Sequence, residues 1–184
     1  MNTQIGTTHF KKKCIEYFNA RGETIMAKAR TVTVTGKANW AKVFEQNRDM
    51  KGYNDSYVAC DGACTIDMYL ENEELATLKA AGSMARGSLT DEGVKVKLKR
   101  KFKGPFEEAS GAPKVFKADG TPWNYDEDGT IGNGSTVEAT VSVYDIKSFD
   151  TVGTRLESVK VINHVEYKPE PEEPTAPTSG DVTV

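Results

Sequence analysis

Histidine and cysteine are scarce in this chain of 184 residues, with two of the first and three of the second. So small a stock leaves general acid–base chemistry few players. No phosphate loop ending in Gly-Lys-Ser/Thr, no Gly-x-Ser-x-Gly elbow and no zinc-protease histidine pair is present. A nuclease needs clustered carboxylates, whereas those here fall mostly in turns and the C-terminal segment, so no catalytic residue is assigned and the chain reads as a non-enzyme. Cys60-Asp-Gly-Ala-Cys64 offers two of the four ligands of a structural zinc site. The remaining candidates, Cys14, His9 and His164, stand at no recognisable spacing. Tyr125-Asp-Glu-Asp-Gly129 resembles part of a calcium loop, but the twelfth position counted from Asp126 is Val137 and not a glutamate. Neither a metal nor any other cofactor is expected. An odd cysteine count fits a reduced, cytosolic chain. No apolar run approaches membrane-spanning length, and residues 1–25 lack the apolar centre of a secretory signal.

What is abundant is charge, and its placement says more than its sum. The formal net charge is −3. From Glu166 to Val184 there are five acids and one base, while residues 1–165 hold 23 bases and 22 acids. An almost neutral body therefore carries an acidic tail. Its text, Lys168-Pro-Glu-Pro-Glu-Glu-Pro174 followed by Thr, Ser and Gly, cannot bury a core, and disorder is expected over 168–184. At the other end, residues 1–27 are polar and stop near Met26-Ala-Lys-Ala29, so they read as an extension, with a short helix expected at Cys14–Phe18 if that part is ordered. The domain proper is placed at residues 28–167.

Within that domain, period-two alternation predicts strands. Thr31–Thr35 is β-branched and ends at Gly36. Cys64, Ile66, Met68 and Leu70 alternate with Thr65, Asp67 and Tyr69. Val137, Ala139, Val141 and Val143 are expected to face inward, with Thr136, Glu138, Thr140, Ser142 and Tyr144 outward, and a last strand is expected from about Arg155 to Tyr167. One helix is expected at Asn72–Ala81, with Asn72 as N-cap, Glu73 and Glu74 at the positive end of its dipole, and Gly82 at C′. Residues 104–134 are turn-rich, broken by Val115-Phe-Lys117. About five strands with a short helix between middle strands fit an all-β fold, a five-stranded Greek-key barrel of the OB type. An immunoglobulin-like sandwich would want about seven strands and no helix there.

The remaining strand is the most informative. Lys95, Lys97, Lys99, Lys101 and Lys103 recur at every second position, with Val94, Val96, Leu98 and Phe102 between them. In a strand this sets a row of cations on one face, about 6.5–7 Å apart, close to the phosphate spacing of an extended single strand. Arg100 is the exception, a cation on the apolar face, where it marks a bulge or a sheet edge. The plainer reading of the row is a solvated edge strand whose lysines discourage aggregation.

Ile131-Gly-Asn-Gly-Ser135, Val137–Tyr144 and Leu156–Ile162 resemble the carboxy-terminal strands of single-stranded DNA-binding proteins encoded by lytic tailed bacteriophages. The basic strand, the Asp119-Gly-Thr-Pro-Trp123 loop and the acidic tail follow in that family's order, and the resemblance covers roughly residues 28–173. It implies an OB fold, sequence-independent binding of single-stranded DNA, and helix-destabilising work in phage DNA replication and recombination, in the cytoplasm of an infected bacterial host. It also implies an acidic tail that contacts replication proteins or competes with DNA for the basic groove, and leaves homodimerisation open. This tail departs from the family in ending Gly-Asp-Val-Thr-Val184, without a terminal aromatic residue.

Binding single strands without reading sequence takes a basic groove and aromatic faces for the bases. Lys95, Lys97, Lys99, Arg100, Lys101 and Lys103 are the candidates for the groove, with Lys117 and Arg155 in support, along with Lys42 and Lys114. Trp40, Tyr57, Trp123 and Tyr144 are the candidates for stacking, Trp123 because its Gly/Pro-rich loop offers little core to join. Phe44, Tyr69, Phe102 and Phe116 read as packing. Two other classes compete: a phage virion or scaffold β-domain with no nucleic-acid role, and an RNA-binding OB or cold-shock-like module.

Overall fold

Threonine and valine alternate from Thr31 to Thr35, and the computed structural model, which describes residues 13–18, 24–146 and 151–167, turns that alternation into two faces. Val32 and Val34 are buried while Thr31 and Thr33 are exposed. The strands in chain order are β1 (Lys13–Phe18), β2 (Thr24–Lys42), β3 (Ala63–Leu70), β4 (Gly87–Thr90), β5 (Gly93–Lys101), β6 (Lys114–Phe116), β7 (Ser135–Ile146) and β8 (Thr151–Asn163). Helix α1 (Asn72–Ala80) lies between β3 and β4, and one turn, α2 (Tyr125–Asp128), between β6 and β7. The acidic tail from Lys168 lies outside the described residues.

The sheet runs β4-β5-β3-β2-β7-β8-β6, with β1 paired to β2 off this path. Every pair is antiparallel except β6 with β8. Beyond its pairing with β1, strand β2 serves two neighbours: Arg30–Ala38 pair with β7, and Lys37–Lys42 with β3. Gly36 permits the change of partner. A Cβ there would come within 2.4 Å of the Tyr69 carbonyl oxygen, so only glycine lets β2 cross β3 this closely. The sheet thereby curls until β5 and β8 lie against each other, although no backbone ladder joins them.

The inward side is apolar and continuous: Val34, Ile66, Met68, Leu98, Val137, Val141, Val143 and Leu156 are each at most 1% exposed. Burial of each such side chain contributes on the order of 1.5–3 kcal/mol. Helix α1 closes one side of this core with Leu78, which is buried, and Leu75, which packs partly on it. The Glu74 carboxylate ties the helix to β2 by accepting from the Thr35 N–H at 2.9 Å. At its far end the Gly82 N–H bonds the Lys79 carbonyl and the Ser83 N–H that of Leu78, a Schellman closure for which Gly82 takes φ +84°.

The all-β class and the helix position follow the sequence; several details do not. Among the described residues the five expected strands are joined by three more, β1, β4 and β6. Strand β4, Gly-Ser-Leu-Thr, has no alternation to reveal it, and β6 is only three residues of what read as loop. Cys14–Phe18 pairs with β2 as a strand and is not a helix, and β2 begins at Thr24. The N-cap of α1 is Glu71, one residue earlier than expected, and its side chain makes no capping bond. Cys60 and Cys64 are buried free thiols, and burial pushes the Cys64 thiol up to about 11.

Candidate functional site

The β3–β5 ladder places Lys95 opposite Tyr69, Lys97 opposite Asp67, Lys99 opposite Thr65 and Lys101 opposite Ala63. On the other side of β3, Lys37 pairs with Tyr69, Asn39 with Asp67 and Lys42 with Thr65. Directly paired residues share a face. These three strands therefore offer one surface on which Lys37, Lys42, Lys95, Lys97, Lys99 and Lys101 flank a central row from β3. That row lies deep: Thr65 and Asp67 are 5% and 4% exposed, while Lys97, Lys99 and Lys101 stand out in solvent. The result is a trough with a polar floor and cationic walls.

Asp67 is the charged residue of the floor. Its two oxygens meet Lys95 Nζ at 3.0 Å and Lys97 Nζ at 3.5 Å. The hydrogen bond to Asp67, reinforced by its charge, raises the Lys95 pKa above the ordinary lysine value. A second carboxylate, Asp49, belongs to the segment that crosses the end of β3 through an isolated bridge to Ala63. It accepts from the Lys51 and Gly52 N–H groups. The Gly52 bond, and beyond it the charges of Lys42 and Lys97, hold its carboxyl below the usual range against the opposing effect of burial. Tyr57 lies in the same segment, its ring centroid 5.9 Å from Lys99 Nζ. Burial raises its phenol pKa, and Asp49, Cys60 and Asp67 add to the rise. Lys103 closes the row 3.7 Å from Asp61.

Trp40 stands on the rim. The β2–β3 register slips between Asn39 and Lys42, and within that bulge Trp40 takes φ +51° and remains 65% exposed. A left-handed backbone at a residue with a Cβ costs about 1–2 kcal/mol. Tyr53, which the sequence did not single out, is 86% exposed on the turn at Gly52–Asp55.

Other expected site residues fall elsewhere. Arg100 is 7% exposed and its guanidinium is occupied: Nε donates to the Gly111 carbonyl, Nη2 to those of Glu108 and Ser110, and Nη1 to Glu157 Oε2 at 2.6 Å and to the Leu156 carbonyl. Arg100 thus joins β5 to β8 and pins the 108–111 loop, and it leaves the cationic row. Arg155 donates to Glu157 Oε1 at 2.7 Å and lies over the rings of Tyr144 and Phe106. Tyr144 is half-buried with Gly153 beneath its ring, so this cluster has its own partners, and none of the contacts described for it involves a lysine of the trough. Trp123 finds a core after all: it packs partly against buried residues, donates Nε1–H to the Gly129 carbonyl at 3.0 Å and meets His164 edge-on. With Phe44 and Tyr125 it lines an open cavity of about 380 Å³. Lys117 is paired with Asp128 at 2.8 Å, which raises its pKa; Lys114 is exposed on β6.

What sequence reading missed is the carboxylate half of the trough. Alternation sets Asp67 apart from the apolar positions of its strand and says nothing of its partners. Its pairing with the lysines depends on β3 and β5 being neighbours, which periodicity does not show.

No family model matches the sequence, and no curated protein sequence matches it significantly. Solved structures do. A C-terminally truncated single-stranded DNA-binding protein from bacteriophage Enc34 superposes with a TM-score of 0.50 at 10% identity, over 86% of this chain and 99% of that one. The single-stranded DNA-binding protein gp2.5 of bacteriophage T7 gives 0.48 at 14% identity, over 79% of this chain and 98% of that one. At such identities the Enc34 likeness is one of fold.

Proposed function

We propose that this chain binds single-stranded DNA without sequence preference, as a binding protein and not as an enzyme. The observation that carries the reading is the β5 lysine row, with Lys97, Lys99 and Lys101 in solvent above a deep floor. The pairing order of β2, β3, β5, β7 and β8, closed by the approach of β5 to β8, supports an OB-type barrel. In such barrels single strands cross the face of the middle strands, which here are β3 and β5. The lysines capture phosphates and release counterions. Trp40, Tyr57 and Tyr53 supply faces for unpaired bases, each stacked base contributing on the order of 1–3 kcal/mol.

On the same reading the protein acts in phage DNA replication and recombination within the infected bacterial cell. Its acidic tail, residues 168–184, contacts replication proteins or occupies the basic trough until DNA displaces it. The test is a titration of the protein with fluorescent dT30 and with a matched duplex at two salt concentrations, followed by anisotropy. Tight, salt-sensitive preference for the single strand is expected; equal affinity for duplex would overturn the reading.

Asp67 gives this reading a distinctive prediction. By holding Lys95 and Lys97 it restrains two cations that phosphates would otherwise recruit. Asp67→Asn is expected to steepen the salt dependence by about 0.7 per phosphate gained, which tightens dT30 binding about fivefold for each tenfold dilution of salt. Weaker binding in Asp67→Asn would show instead that the carboxylate aligns the lysines for DNA.

A further inference from the structure

Trp40 is large, apolar and exposed, and its backbone is strained; nothing about stability calls for that combination. What holds it is a pair of asparagines. Asn133 Oδ1 accepts from the Trp40 N–H at 2.8 Å, across from the turn before β7. In return Asn39 Oδ1 accepts from the Gly134 N–H at 2.9 Å, which also bonds the Ala38 carbonyl. The two side chains thus clasp the β2 bulge to the Ile131–Ser135 turn from both directions.

The turn is built for the clasp. Gly134 adopts φ +86°, and a Cβ on Gly132 would come within 2.3 Å of the Val165 carbonyl oxygen. Space therefore requires glycine at 132, and the left-handed backbone favours it at 134. The Asn133 side chain is exposed, adds nothing to the core, and spends its oxygen on one amide. That amide belongs to the residue wedged between Asn39 and Lys42, whose ladder partners Asp67 and Thr65 form the trough floor.

We infer that Asn133 is a positioning residue for nucleic-acid binding: it locks the Trp40 bulge so that the indole stands beside the basic trough as a fixed stacking face. This deepens the single-stranded DNA reading and rests on it. Preorganising the ring removes the ordering cost that a mobile side chain would incur on binding. The phosphate-capturing lysines lie outside the clasp, so its loss should change stacking and leave electrostatics alone.

The experiment uses the full chain carrying Trp123→Phe, so that Trp40 is the sole indole, and titrates dT30 while recording tryptophan emission and anisotropy at several salt concentrations. In this parent, emission is expected to quench on binding. Asn133→Ala should lose at least half of the quench and bind about fivefold more weakly, with the salt slope unchanged. Asn133→Asp, which keeps an acceptor oxygen, should retain the quench. The inference is overturned if Asn133→Ala quenches and binds like its parent, if Asn133→Asp fails as Asn133→Ala does, or if the parent binds without quenching. Failure of the parent to bind dT30 at all would sink the DNA reading itself, which the anisotropy channel reports separately.

Discussion

Replacing Lys97, Lys99 and Lys101 together by alanine is expected to flatten the salt dependence of dT30 binding by about two logarithmic units, since each phosphate contact on a single strand contributes about 0.7 to the slope. At 0.1 M salt, relative to a 1 M reference, that corresponds to roughly a 100-fold loss of affinity. These three are chosen because they stand in solvent, whereas Lys95 is more tightly held by Asp67 and Lys103 lies against Asp61. Stability should hardly change, because exposed charges contribute little to it. Anisotropy titrations across a salt series measure both quantities at once. Unchanged slope and affinity would remove DNA from β5 and return the row to the role of a solvated edge.

The second large effect is on folding. Arg100→Ala takes from Glu157 one of its two arginine partners, Arg155 remaining, and strips the Glu108, Ser110, Gly111 and Leu156 carbonyls of a shared donor. Each buried acceptor left without its donor costs about 1–3 kcal/mol, so the loss of even two is a large share of the stability of a domain this size. Arg100→Lys should recover only part of it, because an ammonium cannot reproduce the planar fork that reaches five acceptors. Urea unfolding gives the difference. If Arg100→Ala instead unfolds like the parent protein but binds dT30 poorly, the arginine belongs with the cationic row and not with the core.

That contrast also shows what sequence reveals. Alternation along residues 94–103 put Arg100 on the apolar side, where it is, and the lysines on the other, where they are. It gave no reason for an arginine among valines and leucines, because its partners come from the 108–111 loop and from β8. Strand β7 was legible because its alternation runs through several repeats, β2 only over Thr31–Thr35, and helix α1 from the signals at its ends, Glu73, Glu74 and Gly82. Strands β4 and β6 were not, being too short to show a period and held by pairing with β5 and β8. Trp123 misled for a related reason: glycines and prolines around it suggested an open loop, yet that loop folds back so that the indole reaches the Gly129 carbonyl and the core. Local composition reports the backbone's freedom, and side-chain destinations are decided at longer range.

The double engagement of β2 bears on how the chain can be made. Its pairing with β3 closes early, but Arg30 must wait for Val143 and Ala38 for Ser135. Roughly a hundred residues separate those partners, so at 5–20 residues per second a ribosome needs about 5–20 s to deliver them. For that interval the nascent sheet shows the Thr31–Thr35 edge unpaired, a template for any other extended segment nearby. Products terminated between β5 and β7 should accumulate in inclusion bodies, and slower initiation or lower growth temperature should favour the full-length protein by keeping such nascent edges apart.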